Sequence, residues 1–259
     1  VGENRAGGAT LIGTDMVAKS APDGYTLVLA TSSHLINSSL IEVPFDPVKD
    51  FAGVALMATS PLALAVNPKK VDAGNLAELV SLARSSPQSL TYASSGVGSL
   101  PHLSGELLAR SAGVKLLHVP YKGSGPAEAD LLGGQVDMFF GSPSSLLPHV
   151  QRGTLRVLAS TGSRRSAAFP DAPTMADTYA DFTAETCYAI LAPAGTPQDV
   201  LRTLNDAVNK ALQDPQVSGR LAAVGADVIA STPEQTMQYI GAQVDKWQTL
   251  VREAGVRAH

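Results

Sequence analysis

This chain predicts a two-lobed α/β protein, on three observations. Strand-like apolar runs alternate with helical patterns along the whole length, the order expected when βα units stack into parallel or mixed sheets flanked by helices. At 259 residues the chain exceeds the roughly 100–150 typical of one domain. Four of the strand-like runs empty into loops of serine, threonine and glycine that carry almost no charge.

The first such run covers residues 25–30 and ends in Thr31-Ser32-Ser33-His34. An apolar stretch over residues 62–66 stands ahead of Asn67-Pro68. After Asn75, Leu76, Leu79, Val80 and Ala83 recur at helical spacing, and the helix is expected to stop near Ser85-Ser86-Pro87. A strand over residues 90–93 follows and ends in Ser94-Ser95-Gly96-Val97-Gly98-Ser99. Ser99 is placed to cap a helix carrying Leu103, Leu107 and Leu108, its hydroxyl accepting an orphan backbone N–H, and Pro101 costs no hydrogen bond in a first turn. Residues 119–126 turn from a strand into a helix opened by Ser124 and Pro126. The run 136–140 ends in Gly141-Ser142-Pro143-Ser144-Ser145, and the run 155–159 in Ser160-Thr161-Gly162-Ser163.

A further apolar stretch, residues 188–192, precedes Pro193-Ala194-Gly195-Thr196-Pro197, which opens a helix with Leu201, Leu204, Val208 and Leu212 on one face. Thr232-Pro233-Glu234-Gln235 has capping-box spacing. The helix after it carries Met237, Ile240, Val244, Trp247, Leu250 and Val251 as a buried stripe, and Gly255 can supply a left-handed stop. Trp247 therefore reads as core. The stretches 62–66 and 188–192 are the expected crossings between lobes. Lobe 1 then combines residues 1–70 and 186–259, lobe 2 is continuous over 71–185, and a doubly crossed hinge would let the lobes close over a ligand.

Composition narrows the partners. Hydrophobic content of 44% with 16% charged residues is ordinary for a globular protein, and no segment approaches the ~20 apolar residues of a membrane helix. A net charge of −4, with basic residues paired at Lys69-Lys70 and Arg164-Arg165, argues against nucleic acid or an anionic membrane. Cys187 is the single cysteine, so no intrachain disulfide forms and the redox compartment is undecided; a buried, inert thiol is expected. The chain starts at Val1 with neither an initiator methionine nor a signal peptide, which suggests a processed start.

The polar loops suit a small carboxylate. In open α/β sheets ligands bind beyond the carboxyl ends of strands, where hydroxyls and N–H groups at helix starts grip an anion. In residues 94–99 the glycines permit close backbone approach, and the dipole of the following helix favours negative charge. Each hydrogen bond to an ionised group contributes about 1.5–3 kcal/mol, so four or five reach micromolar affinity, near −8 kcal/mol, without a salt bridge. Ser99→Ala is accordingly expected to weaken binding by roughly 1–3 kcal/mol. Lys122, beside Tyr121, suits an anion contact and equally a solvated loop position. Ser142 and Ser144 offer hydroxyls at the third loop. Asp137 reads as a residue that orients backbone or hydroxyl groups rather than a base.

Enzyme signatures are poor. The nucleophile elbow, the phosphate loop and the complete dinucleotide fingerprint are all missing from the sequence, since Gly96-Val97-Gly98 continues as Ser99-Leu100-Pro101. His102 and Glu106 sit one helical turn apart without the further ligands a zinc site needs, so His102 reads as a helix-start donor or packing residue. His34 or His149 beside a serine suggests a dyad, but no orienting carboxylate accompanies either. No catalytic residue, metal or cofactor is expected.

Five motifs in order, Ala21-Pro22-Asp23-Gly24-Tyr25-Thr26-Leu27, residues 94–103, residues 119–127, residues 130–137 and Ala192-Pro193-Ala194-Gly195-Thr196-Pro197, resemble the Bug-type receptors of tripartite tricarboxylate transporters. The likeness implies a periplasmic-binding-protein fold of type II-like form, each lobe a mixed sheet flanked by helices. It also implies a periplasmic receptor, monomeric and without catalysis, that captures a small organic acid and delivers it to membrane permease subunits. Ligand contacts carried over from the resemblance fall on Thr31 and Ser32 in one lobe and on Ser94, Gly96, Gly98, Ser99 and Tyr121 in the other. Ser33, Ser95, His102, Lys122, Gly123, Ser142 and Ser144 complete the candidate set. Glu3-Asn4-Arg5-Ala6-Gly7-Gly8 resembles a family segment that follows an earlier strand, a Pro/Gly-rich ligand loop and a helix, so lobe 1 is expected to lack them here. A sensor signalling to a membrane partner, or a hydrolase on the same fold, would share these features.

Overall fold

The computed structural model describes residues 2–3, 10–85 and 90–256. Most of the segment 3–8 and the expected helix stop at Ser86-Pro87 lie outside them. In chain order come α1 (Leu11–Ala18), β1 (Val28–Ala30), α2 (Ser32–Leu40), β2 (Phe51–Pro61), β3 (Ala63–Val66) and α3 (Leu76–Ser85). Next are β4 (Thr91–Ser94), α4 (Leu100–Ala112), β5 (Leu117–Pro120), α5 (Ser124–Leu132), β6 (Met138–Gly141), α6 (Pro143–Gln151) and β7 (Arg156–Ser160). After a single turn of 3-10 helix at Met175–Asp177 follow β8 (Glu185–Pro193), α7 (Gln198–Leu212), α8 (Pro215–Ala223), β9 (Asp227–Val228) and α9 (Pro233–Ala254).

These elements form two compact units, one holding the described residues up to Thr59 and from Thr186 onward, the other Ser60–Glu185. The first unit carries a sheet of order β1-β8-β2-β9, with β1 antiparallel to β8 and β2 antiparallel to β9. Its core joins Val54, Ala55, Ala192 and Leu201, with Leu204 and Val208 of α7 packed against them, as the helical spacing requires. Asn205 of the same helix is buried and donates through Nδ2 to Val54 O and Ser231 O, tying α7 to the sheet. Thr232 and Gln235 form a reciprocal capping box on α9, Gly255 closes the helix at φ 66°, and Trp247 is fully buried.

The second unit carries a sheet of order β5-β4-β6-β3-β7. β4 runs parallel to β5 and β6, while β3 runs antiparallel to β6 and β7. Hence β4, β5, β6 and β7 all point one way and β3 alone opposes them. Every residue of β3 is fully buried, which places Ala63–Val66 at the heart of this sheet and not at a crossing. The chain instead passes between units within β2, at Thr59/Ser60, and at Glu185/Thr186 where β8 begins. The expected boundary at 70/71 thus shifts because an apolar run that reads as a connector is a doubly covered strand. Gly105 on α4 allows that helix to lie flat on Tyr92, whose ring would collide with any Cβ there.

Candidate functional site

Because β4, β5 and β6 share one direction, the loops leaving them open along one edge of the five-stranded sheet, and α4, α5 and α6 all start from that edge. Register fixes the order: Ser94 lies opposite Pro120, and Ala93 opposite Phe139. At ~4.8 Å per strand, the loops after β4, β5 and β6 stand one spacing apart, whereas the loop after β7 lies three spacings, roughly 14 Å, from that after β4. A small acid can therefore touch the first three together but not the fourth. The fourth loop is also committed elsewhere: Thr161 is fully buried and its hydroxyl bridges Leu62 and Ala184 main chain, so this serine-rich turn fastens the sheet.

The loop 94–99 is wired from within. Gly96 and Gly98 adopt φ of 136° and 77°, a region that suits glycine alone at low cost. Ser94 is buried; its Oγ accepts Gly96 N–H at 3.1 Å and contacts Gly96 O. Gly98 N–H donates to His102 Nδ1 at 2.9 Å. Ser99 occupies the N-cap position of α4 without a side-chain cap bond, because its hydroxyl donates to Gly96 O at 2.7 Å. The expected cap bond is thus absent, and Ser99, Gly96 and Gly98 shape the loop with groups the sequence reading assigns to a ligand. Ser95, half-buried, gives its carbonyl to Gly123 N–H at 3.1 Å, and Ser94 O accepts Tyr121 N–H at 3.0 Å, so the loops after β4 and β5 are fastened together.

On the outer side, Lys122 is exposed next to this joint. Gly123 holds φ 110° at the start of α5. Tyr121 donates its hydroxyl to Asp130 Oδ2 at 2.6 Å; burial and then the Asp130 carboxylate push this phenol up to about 12, so it stays a proton donor. Ser142 caps α6, accepting Ser145 N–H, and Ser144 is exposed, meeting Ser142 Oγ at 3.5 Å, the outer limit of a hydrogen bond. Three helix amino ends along the edge, each equivalent to about half a positive charge, supply the electropositive field that the sparse lysines do not.

Below the loop lies a polar stack. His102 and His118 lie face to face with ring centroids 3.8 Å apart, and Tyr92 stacks 4.9 Å from His118. Burial and then the neighbouring His118 lower His102 to about 4; burial alone lowers His118 to about 4. Tyr92 donates to Glu106 Oε1, which stands 3.7 Å from His102 Nε2. His102 is therefore a brace behind the loop, in keeping with its reading as a packing residue. His118 escaped notice in the sequence because its partnership with Ser94 runs sideways between parallel strands, which no spacing along the chain reveals.

In the first unit, residues 31–34 are less a loop than the start of α2. Thr31 is its N-cap with no side-chain cap bond, Ser32 is buried, and Ser33 is half-buried. His34 is buried between Phe45 and Phe51 with Nε2 on Pro47 O at 2.8 Å, and burial lowers its pKa. That is a structural role. His149 faces Glu128 at 3.5 Å. Asp137 accepts both the N–H and the hydroxyl of Thr91 at 2.7 Å, the orienting role its position suggested. Among the described residues no group of three His, Cys, Asp or Glu is placed to hold a metal ion.

Comparison with known proteins places this geometry in context. A family model described as tripartite tricarboxylate transporter family receptor matches residues 1–256. Protein BugT of Bordetella pertussis is 40% identical, the alignment covering 98% of this chain and 79% of that protein. The solved structure of Rpa4515 from R. palustris with adipate superposes with TM-score 0.80 at 30% identity, over 99% of this chain and 87% of that one. MatC from Rhodopseudomonas palustris with bound malate gives TM-score 0.73 at 30% identity, over 95% and 85%.

Proposed function

The chain belongs to the tripartite tricarboxylate transporter receptor family, and from that membership we propose that it is a periplasmic receptor for a small dicarboxylate, which it hands as a monomer to membrane permease subunits. The observation that carries the ligand class is the edge where β4, β5 and β6 end and α4, α5 and α6 begin. It presents hydroxyls and helix amino ends in place of fixed cations. Adipate on Rpa4515 and malate on MatC support a four- to six-carbon diacid as the cargo. Relatives of this kind are receptors, and the chain is not an enzyme. Among the described residues no helix is long and apolar enough to cross a membrane.

The outward-facing candidates of the second unit are Ser144 and Lys122. Gly96, Gly98 and Ser99 act by holding the loop's shape. Malate, adipate and a panel of mono- and tricarboxylates, screened by thermal shift and calorimetry, test the reading. At least one diacid should bind, and Ser144→Ala should weaken it by about 1.5–3 kcal/mol, the worth of a hydrogen bond to a charge. Folded protein that ignores the whole panel would overturn the proposal.

A further inference from the structure

Each imidazole of the stack holds one end of the loop 94–99. His102, on α4, accepts the Gly98 N–H through Nδ1 at 2.9 Å. His118, on β5, meets Ser94 Oγ through Nε2 at 2.6 Å, and that same oxygen accepts Gly96 N–H. The rings are 10° from parallel at 3.8 Å, and His102 is 5% exposed. We propose that His102 and His118 are positioning residues that hold the anion-binding loop in shape, His102 only while its ring is uncharged, so that acid loosens the loop and releases the solute. The proposal rests on the reading of that loop as part of the solute site.

The argument is one of atoms. A neutral His102 that accepts at Nδ1 carries its proton on Nε2, toward Glu106 Oε1 at 3.7 Å. A second proton has only Nδ1 to occupy. Two N–H groups would then face each other at the present Gly98 contact, and Gly98 must leave. Gly98 is itself the pivot at φ 77°, so its departure reshapes the turn that carries Ser95 and Ser99. Charge on one ring opposes charge on the other at stacking distance, so the pair takes up its two protons in separate steps.

The groups facing the stack are few. Glu106 comes from α4 itself and Tyr92 from β4, the latter giving its hydroxyl to Glu106. β5 contributes His118, and β6, packed on α4, has no titratable side chain in Met138–Gly141. Burial holds both rings near a pKa of about 4, so the pair is neutral at pH 7 and begins to charge only as the surroundings acidify.

The test pairs calorimetry with amide exchange. Malate and adipate are titrated into wild type, His102→Asn and His102→Leu at pH 7 and at about pH 3.5. Asparagine retains an acceptor for Gly98 without titrating, so its affinity at pH 7 should stay within about threefold of wild type, while leucine should lose about tenfold or more. On acidification wild type should lose affinity more steeply than His102→Asn. The acid's own titration is common to both proteins, so the difference between them is the readout. An asparagine variant with the wild-type pH profile, or a leucine variant that binds like wild type, overturns the proposal. The exchange rate of the Gly98 amide in unliganded wild type, corrected for its intrinsic pH dependence, reads the same latch without any solute. Protection that falls as the pH drops through 4 supports it, and protection that persists to pH 3 overturns it even if neither diacid binds. Failure of both diacids to bind would overturn the assignment of the solute separately.

Discussion

Two buried histidines and a half-buried third make the protein's stability a function of pH. His102 and His118 titrate near 4 in the folded state against 6.5 when solvated, and His34 is shifted the same way by burial. Above pH 6.5 both folded and unfolded chains leave them neutral, so stability does not change. Below 6.5 the unfolded chain takes up protons that the folded one refuses, and stability falls until the native rings charge near pH 4. Melting curves should therefore show a flat Tm from pH 8 to 7 and a decline from 6.5 toward 4, with a shallower decline in His102→Asn. A wild-type slope no steeper than the variant's would mean that the imidazole is solvated. The serine and glycine content of the turns was legible in the sequence, as were the core placements of Trp247 and Cys187. What was not legible is direction. Ser99 turns its one proton inward to Gly96, and only coordinates distinguish that from a proton offered to a ligand.

Among the elements, α9 is the one whose sequence and structure agree in most detail. Its capping box satisfies two otherwise orphan groups, and its apolar stripe buries Ile240, Val244, Trp247, Leu250 and Val251. Thr232→Ala removes the acceptor for Gln235 N–H and is expected to cost about 1 kcal/mol in chemical denaturation. An unchanged midpoint would mean that packing alone fixes the helix start. The elements the sequence hid include α1, α2, β2, α6, α8 and β9. β2, Phe51–Pro61, lacks the alternation that marks a half-exposed strand because nine of its eleven residues are buried, and its alanines, glycine and methionine carry little strand preference. α8 buries none of its residues and so has no stripe to read.

At the scale of the whole molecule, the two units differ in how they are assembled from the chain. The second is a single stretch, Ser60–Glu185, with its own sheet and a core joining Ala63, Leu131, Phe139 and Leu146. It should fold when expressed alone, giving dispersed amide spectra and a cooperative melt. A molten product would show that it depends on the remainder of the chain. The first unit draws on both ends of the sequence and has no such continuous counterpart. The α/β class followed from the run of strands and helices. The boundary expected at 70/71 was misplaced because a short apolar stretch looks the same whether it links two bodies or fills the middle of one.

That opposed central strand, β3, bears on how the protein is made. It leaves the ribosome ahead of every other strand of its sheet, yet its neighbours are β6, beginning at Met138, and β7, ending at Ser160. Until those emerge, a wholly apolar tetrapeptide has nothing to cover it, and a nascent chain halted before residue 138 carries that stickiness exposed. Late pairing of this kind also raises contact order, so slow maturation and a need for a holding chaperone during synthesis follow from where one short strand was threaded.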